Sequence, residues 1–159
     1  GVSLGVQVRD DRLMQSRWHV AYRPGVLRAV GYVGDAAVAV DEHQTAGSPA
    51  AIRAVSDETV IRADCTGIAH VAITVVDAQG RFVPFASHDI TVTVEGPARL
   101  VGVENGDPLD STNYRLAHRK AFNGMLLAIL QSTDTAGAIT VSATSDGLTT
   151  GVCRTIQSR

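Results

Sequence analysis

Apolar residues in this chain recur at every second position, and nowhere over a long stretch at the spacing of a helix. Within the run from Ile68 to Asp77, Val71, Ile73 and Val75 alternate with Ala72 and Thr74; further on, Ile90, Val92 and Val94 alternate with Thr91, Thr93 and Glu95. A period of two puts the apolar set on one face of a strand and the polar set on the other. Each such segment therefore needs a sheet with one buried face and one wet one. Between these runs stand residues that reverse the chain: Arg23-Pro24-Gly25, Gly34-Asp35, Asp77-Ala78-Gln79-Gly80, Gly96-Pro97 and Asp146-Gly147. The expectation is an all-β protein.

The stretch Thr45-Ala46-Gly47-Ser48-Pro49-Ala50-Ala51-Ile52 divides the strands into two groups, residues 1–45 and 46–159. In the first, Trp18, Val20 and Tyr22 alternate with His19 and Ala21, which predicts a strand turning at Pro24-Gly25 into a hairpin with Val26 to Val33. Ala36 to Val40 follows. About four short strands are few for a closed sandwich. In the second group the predicted strands are Ala51–Val55, Thr59–Ala63, Ile68–Asp77, Ile90–Glu95, Leu100–Val103, Met125–Leu130, Ile139–Ala143 and Leu148–Ile156. Roughly this number of short strands with regular turns predicts a β-sandwich, and an open barrel fits the same pattern. Residues 105–120 read as a polar loop long enough to carry a function. Met125 to Leu130 is apolar on both faces, as expected of a central strand covered by that loop or of a surface for a neighbouring domain.

Composition narrows the function classes. The 159 residues are 45% hydrophobic with a net charge of −2, the two signs interspersed. That gives no electrostatic footprint for nucleic acid or an anionic bilayer, and no apolar run approaches the ~20 residues of a membrane span. Gly1 to Gly5 has neither the basic region nor the apolar core of a signal peptide. Histidines 19, 43, 70, 88 and 118 are not spaced as metal ligands, and Asn105 to Asp110 lacks the acidic density of a calcium loop. No metal or cofactor is expected. Asp64, Asp77, Glu95 and Asp107 fall at turns or strand ends, where carboxylates serve as caps. No Gly-x-Ser-x-Gly nucleophile motif occurs, and no active site is expected. Cys65 and Cys153 form neither a zinc nor a Cys-x-x-Cys motif, leaving two buried thiols or one disulfide. Among the aromatics, Trp18 and Tyr22 share a strand face with Val20, as for core packing. Tyr114 alone has a context that predicts exposure, and Phe122 is placed to anchor the loop.

Several stretches resemble one family. Trp18-His19-Val20-Ala21-Tyr22-Arg23-Pro24-Gly25-Val26-Leu27-Arg28-Ala29-Val30-Gly31-Tyr32 is similar to the end of the fourth domain of the longer glycoside hydrolase family 2 enzymes, the β-galactosidase and β-glucuronidase-like group. Thr45 to Ile52 resembles the joint that follows it. Residues 50–156 resemble the fifth domain, itself similar to invasin-type adhesin repeats, through Val101-Gly102-Val103-Glu104-Asn105-Gly106-Asp107-Pro108 and Arg119-Lys120-Ala121-Phe122-Asn123-Gly124. Two positions depart: Ala63-Asp64-Cys65 replaces the usual Ala-Asp-Gly turn, and Glu104 stands where glycine is common.

The resemblance implies an immunoglobulin-like sandwich at 46–159, preceded at 1–45 by the closing strands of a truncated second sandwich. It implies a non-catalytic accessory role in domain packing or spacing. Glycoside hydrolysis uses two carboxylates roughly 5 to 10 Å apart, and the resemblance places that pair on an upstream barrel. The implied partners are that barrel and other domains of the parent, with Asn105, Asp107, Tyr114, Arg119 and Phe122 as interface candidates. Orphaned strands in the first segment would favour self-association. The alternatives are a carbohydrate-binding module, with a polysaccharide as partner, and an adhesin-type surface repeat. In invasin-like sandwiches the short strand after the first bend runs parallel to the last, which implies a Cys65–Cys153 disulfide. Such a bond would be worth roughly 4 to 5 kcal/mol and would place the parent in the periplasm or outside the cell.

Overall fold

The structure, a computed structural model, describes residues 1–10 and 12–159. It divides into two compact units, Gly1–Thr45 and Ala46–Arg159, with no helix among the described residues.

The first unit is built around one antiparallel hairpin, β1 (Val26–Val33) and β2 (Ala36–Gln44). Gly34, with φ of 59°, is the first central residue of its two-residue turn. That is the position for which a hairpin turn of type II′ selects glycine. The strand expected at Trp18 to Tyr22 does not form: these residues join no ladder, and Trp18 and Tyr22 are 42% and 79% exposed rather than in a core. Alternation marks a segment able to pair but does not secure a partner: both outer edges of the two-stranded β1–β2 sheet stay open, and residues 18–22 take neither.

The second unit has two layers. One sheet holds β3 (Pro49–Ser56), β5 (Ile68–Asp77), β9 (Met125–Ser132) and β7 (Ala98–Glu104), in that order and all antiparallel. The other has the order β4 (Val60–Ile61), β11 (Gly151–Ser158), β10 (Gly137–Thr144), β6 (Asp89–Glu95) and β8 (His118–Lys120). Its β4–β11 pair is parallel and the rest are antiparallel. Val71, Ile73, Val75, Ala128 and Leu130 from the first sheet and Ile90, Ile139, Val141 and Ile156 from the second are fully buried in one core cluster. Burying each of these valine, leucine and isoleucine side chains is worth about 1.5 to 3 kcal/mol. The sandwich is thus the observed architecture, not the open barrel; a single parallel bridge, Ala51 to Thr149, ties one sheet to the approach to β11.

Three local features set the layers. β10 pairs Ile139 with Ile156 but Val141 with Cys153, so β11 carries one extra residue. That bulge lets Cys153 and Ile156, three apart, both face inward. The chain crosses from β6 to β7 through Gly96, whose φ is 95° and where a Cβ would lie 2.1 Å from the Ala138 carbonyl oxygen. Only glycine fits there. The last strand begins at Gly151 rather than Leu148, because Thr149 accepts from Ile52 N–H and donates to Ala50 O in the opposite sheet.

The expected disulfide is absent. The parallel pairing of β4 with the last strand is as implied, but its register sets Val60 and Ile61 opposite Gln157 and Ser158, with Ala63 N–H donating to Arg159 O at 2.7 Å. Cys153 lies six residues back along β11, about 20 Å at strand rise, whereas bonded cysteines have Cα atoms within about 7 Å. Cys65 is an exposed free thiol and Cys153 is buried, so the ground for an extracytoplasmic parent goes with the bond.

Candidate functional site

The polar stretch after β7 is an organised element rather than an open loop. Its last three residues, His118 to Lys120, are β8, paired with β6 through Ile90 and Arg119. That pairing turns Arg119 inward, where it is 4% exposed. A buried guanidinium needs partners; the end of β7 and the stretch supply hydrogen bonds to both Nη atoms and an ion pair, without a hydrogen bond, to Nε. Arg119 Nη1 donates to Glu104 Oε1 at 3.1 Å, Nη2 donates to Thr112 O, and Nε lies 3.4 Å from Asp110 Oδ2. Asn105 Nδ2 donates to Asp110 Oδ2 at 2.8 Å and to Lys120 O at 3.0 Å, closing the loop on itself. Glu104, where glycine was expected, also accepts from the N–H groups of Asn105 and Gly106 at 2.9 Å.

Those contacts set the charge state of the acids. Backbone donors from Gly106 and Asn105, aided by Arg119, hold Glu104 below the usual carboxylate range. Hydrogen bonds from Thr112, then Asn105 and Arg119, do the same for Asp110. Both are stably ionised at neutral pH. A general acid in glycoside hydrolysis needs the opposite perturbation; in this geometry the two carboxylates brace the loop around Arg119. An open depression of about 490 Å³ lies beside them, lined in part by Asp89, Asp107, His118, Lys120 and Phe122.

The interface candidates therefore separate. Arg119 and Asn105 are internal clamps, with Arg119 too buried to touch a partner. Asp107 caps Leu109 N–H at 2.9 Å on the loop surface. Phe122 is half-buried at the hairpin leading into β9. Asn123 and Gly124, with φ of 49° and 75°, are the two central residues of that hairpin, a type I′ signal that the Asn-Gly pair carried in the sequence. Tyr114 is 50% exposed, but it is not the lone exposed aromatic, since Phe85 is 91% and Tyr32 57% exposed. Its ring lies over Gly102 on β7, and its carbonyl accepts from Val103 N–H at 2.7 Å. Gly102 is paired with Ile129 on β9. The loop thus covers part of the outer face of that doubly apolar strand and leaves Met125 48% exposed.

A third acid, Asp77, holds the start of the unit. Asp77, 2% exposed, accepts from Gly47 N–H at 2.7 Å, Arg81 N–H at 2.9 Å, Arg81 Nε at 2.7 Å and Gln79 N–H at 3.0 Å. Burial pushes its carboxyl up, but these donors outweigh that and hold it far below the ordinary range. This fastens the Ala-Gly-Ser-Pro joint to the end of β5. Among the described residues no three His, Cys, Asp or Glu side chains are grouped to hold a metal ion.

The family model described as glycoside hydrolase family 2 C-terminal domain 5 matches residues 52–154. The chain belongs to that family. A second model, a domain of unknown function (DUF4982), matches residues 1–39. Among curated relatives, the β-galactosidase BoGH2A of Bacteroides ovatus is 32% identical over 97% of this chain, which spans 18% of that relative. A β-glucuronidase of Formosa agariphila is 30% identical over 81% of the chain, which spans 13% of it. A crystal structure of a family 2 member from Bacteroides cellulosilyticus superposes with a TM-score of 0.87 at 28% identity, covering 94% of this chain and 21% of that one. The chain thus spans about a fifth or less of these family 2 relatives, and its sandwich is one of their C-terminal domains.

Proposed function

We propose that these residues serve a family 2 glycoside hydrolase as a non-catalytic C-terminal accessory region, packing against its other domains or spacing them. The parent on this reading hydrolyses β-glycosidic bonds in the manner of a β-galactosidase. The observation that carries it is the outer face of the β3–β5–β9–β7 sheet. There Val55 is 54% and Met125 48% exposed, with Ala72 exposed and Leu127 and Ile129 half-buried beside them. Contiguous apolar surface of this kind suits a neighbouring domain better than water, and more than four-fifths of the length of the relative BoGH2A lies outside the matching segment. The carboxylates support the same reading, since Asp57, Asp64, Asp77, Glu104 and Asp110 are all lowered by local donors rather than raised for proton donation.

The test compares the full-length enzyme with a version lacking this region. Removal should lower the melting temperature or change kcat/KM on large oligosaccharides, while the isolated chain leaves p-nitrophenyl β-galactoside and β-glucuronide intact. Turnover by the isolated chain would refute the non-catalytic reading. Unchanged stability and kinetics after removal would refute the packing role.

A further inference from the structure

Along the β7 edge, Arg99, Leu100, Val101 and Arg115 line a second depression, of about 290 Å³. Arg99 is held there in an unusual way. Its Nε donates to Gln131 Oε1 at 3.0 Å and its Nη2 donates to the same oxygen, while Gln131 Nε2 donates to Cys65 O at 2.6 Å. A neutral amide thus orients the guanidinium without cancelling its charge. Among the described residues Arg62, Arg81 and Arg119 pair with carboxylates, whereas neither Arg99 nor Arg115 does. Two uncompensated guanidiniums therefore share one concavity on a chain whose net charge is −2.

The residue before Arg115 is Tyr114. The bond from Val103 N–H to Tyr114 O fixes the loop to the edge of β7. A Cβ on Gly102 would come within 3.0 Å of Tyr114 Cδ2, so the absence of a side chain there lets the ring lie close against the strand. The ring stays half exposed over Gly102, whose β9 partner Ile129 lies two residues from Gln131, the partner of Arg99, so ring and Arg99 share the outer face of β7.

We propose that this edge of the sandwich binds an anionic saccharide. A tyrosine ring offers a flat apolar surface to the C–H face of a pyranose, and a guanidinium presents paired N–H donors that match a carboxylate or sulfate group. A uronic acid and a sulfated sugar supply the same combination of pyranose and anion. This goes beyond a packing or spacing role and stands whether or not that role holds.

Calorimetric titration of the 159-residue chain in near-physiological salt tests it. The probes are an oligoglucuronide, a sulfated galactan oligosaccharide, a neutral galactan oligosaccharide and polyglutamate. Saturable binding is expected to one or both anionic saccharides, and which of them binds tells carboxylate from sulfate. Arg115→Gln and Tyr114→Ala, both at exposed positions, should each weaken binding about tenfold, the first through a lost charge-assisted hydrogen bond and the second through lost stacking area. The double variant Arg99→Gln/Arg115→Gln, checked for an unchanged circular dichroism spectrum, should abolish it. The proposal is overturned if no anionic saccharide binds, if the neutral galactan or polyglutamate binds equally well, or if the folded Arg115→Gln and Tyr114→Ala variants bind like the original.

Discussion

Replacing Cys65 by glycine should stabilise the sandwich. Cys65 has φ of 62°, one of three non-glycine residues with positive φ among the described residues, and it stands third in the turn where the family resemblance implies Ala-Asp-Gly. A side chain in the left-handed region costs roughly 1 to 2 kcal/mol. Glycine removes that cost but adds about 0.4 to 1 kcal/mol of unfolded-chain entropy. The local contacts survive the change, because they belong to the backbone: Cys65 N–H donates to Thr133 O at 3.3 Å, and its carbonyl accepts from Gln131 Nε2 at 2.6 Å. The thiol is exposed, so no core volume is lost. The net gain is about 0.5 to 1 kcal/mol, or about 2 to 5 °C in melting temperature for a domain of this size. Thermal unfolding followed by circular dichroism, with Cys65→Ala as the control, measures it. Alanine removes the thiol but keeps the Cβ and should leave the midpoint nearly unchanged. A glycine variant no more stable than the alanine one would refute the reasoning from backbone strain.

Three further outcomes follow from the same contacts. Because Asp77, Glu104 and Asp110 titrate lower folded than unfolded, their contribution is complete above the unfolded carboxylate value of about 4 and fades as pH falls below it; melting temperatures should be level from pH 8 to 5 and drop in stronger acid, and Asp77→Asn should lower the neutral midpoint while flattening that drop. Arg119→Met should cost about 2 to 3 kcal/mol by denaturant titration, below the 3 to 5 kcal/mol of a fully buried pair, because Glu104 is 48% exposed at its side chain. In thiol titration of the folded, unreduced chain Cys65 should react quickly and Cys153 only on unfolding; a native protein without a reactive thiol would restore the bond between them.

How much of this was legible varies by element. β5 was readable to both ends, Ile68 and Asp77, because one face is wholly apolar and Asp77 opens a turn of its own. β9 was readable as an apolar strand, covered by the loop or offering a surface to a neighbouring domain; it is central in its sheet, between β5 and β7, and its outer face is only partly covered. β8 was hidden. Its three residues are all basic, and the burial of Arg119 depends on Glu104 and Asp110, which lie 15 and 9 positions away in sequence. Hydropathy cannot register a charge neutralised at that range. Trp18 to Tyr22 misled for a different reason: its alternation is real, but a period of two records only which side chains could share a face, and the segment takes neither open edge of the β1–β2 hairpin. The cysteine pairing failed on register alone, since parallel strands were correctly expected but their matched ends were not. Arg99 and Arg115 carried no signal as a pair, because they meet only through the alignment of the loop on β7.

The parallel contact between β4 and β11 constrains how this domain can be born. A chain leaving the ribosome presents β3, β4 and β5 early, yet β4 has its only ladder partner in the final strand of the unit. β3 likewise waits for Thr149 to satisfy Ile52 N–H. The core strand β10 is also without one of its two neighbours until β11 is made. Native closure is therefore deferred until synthesis of the sandwich is complete, and the nascent form must carry open edges past the stage at which a domain of local hairpins would already have folded.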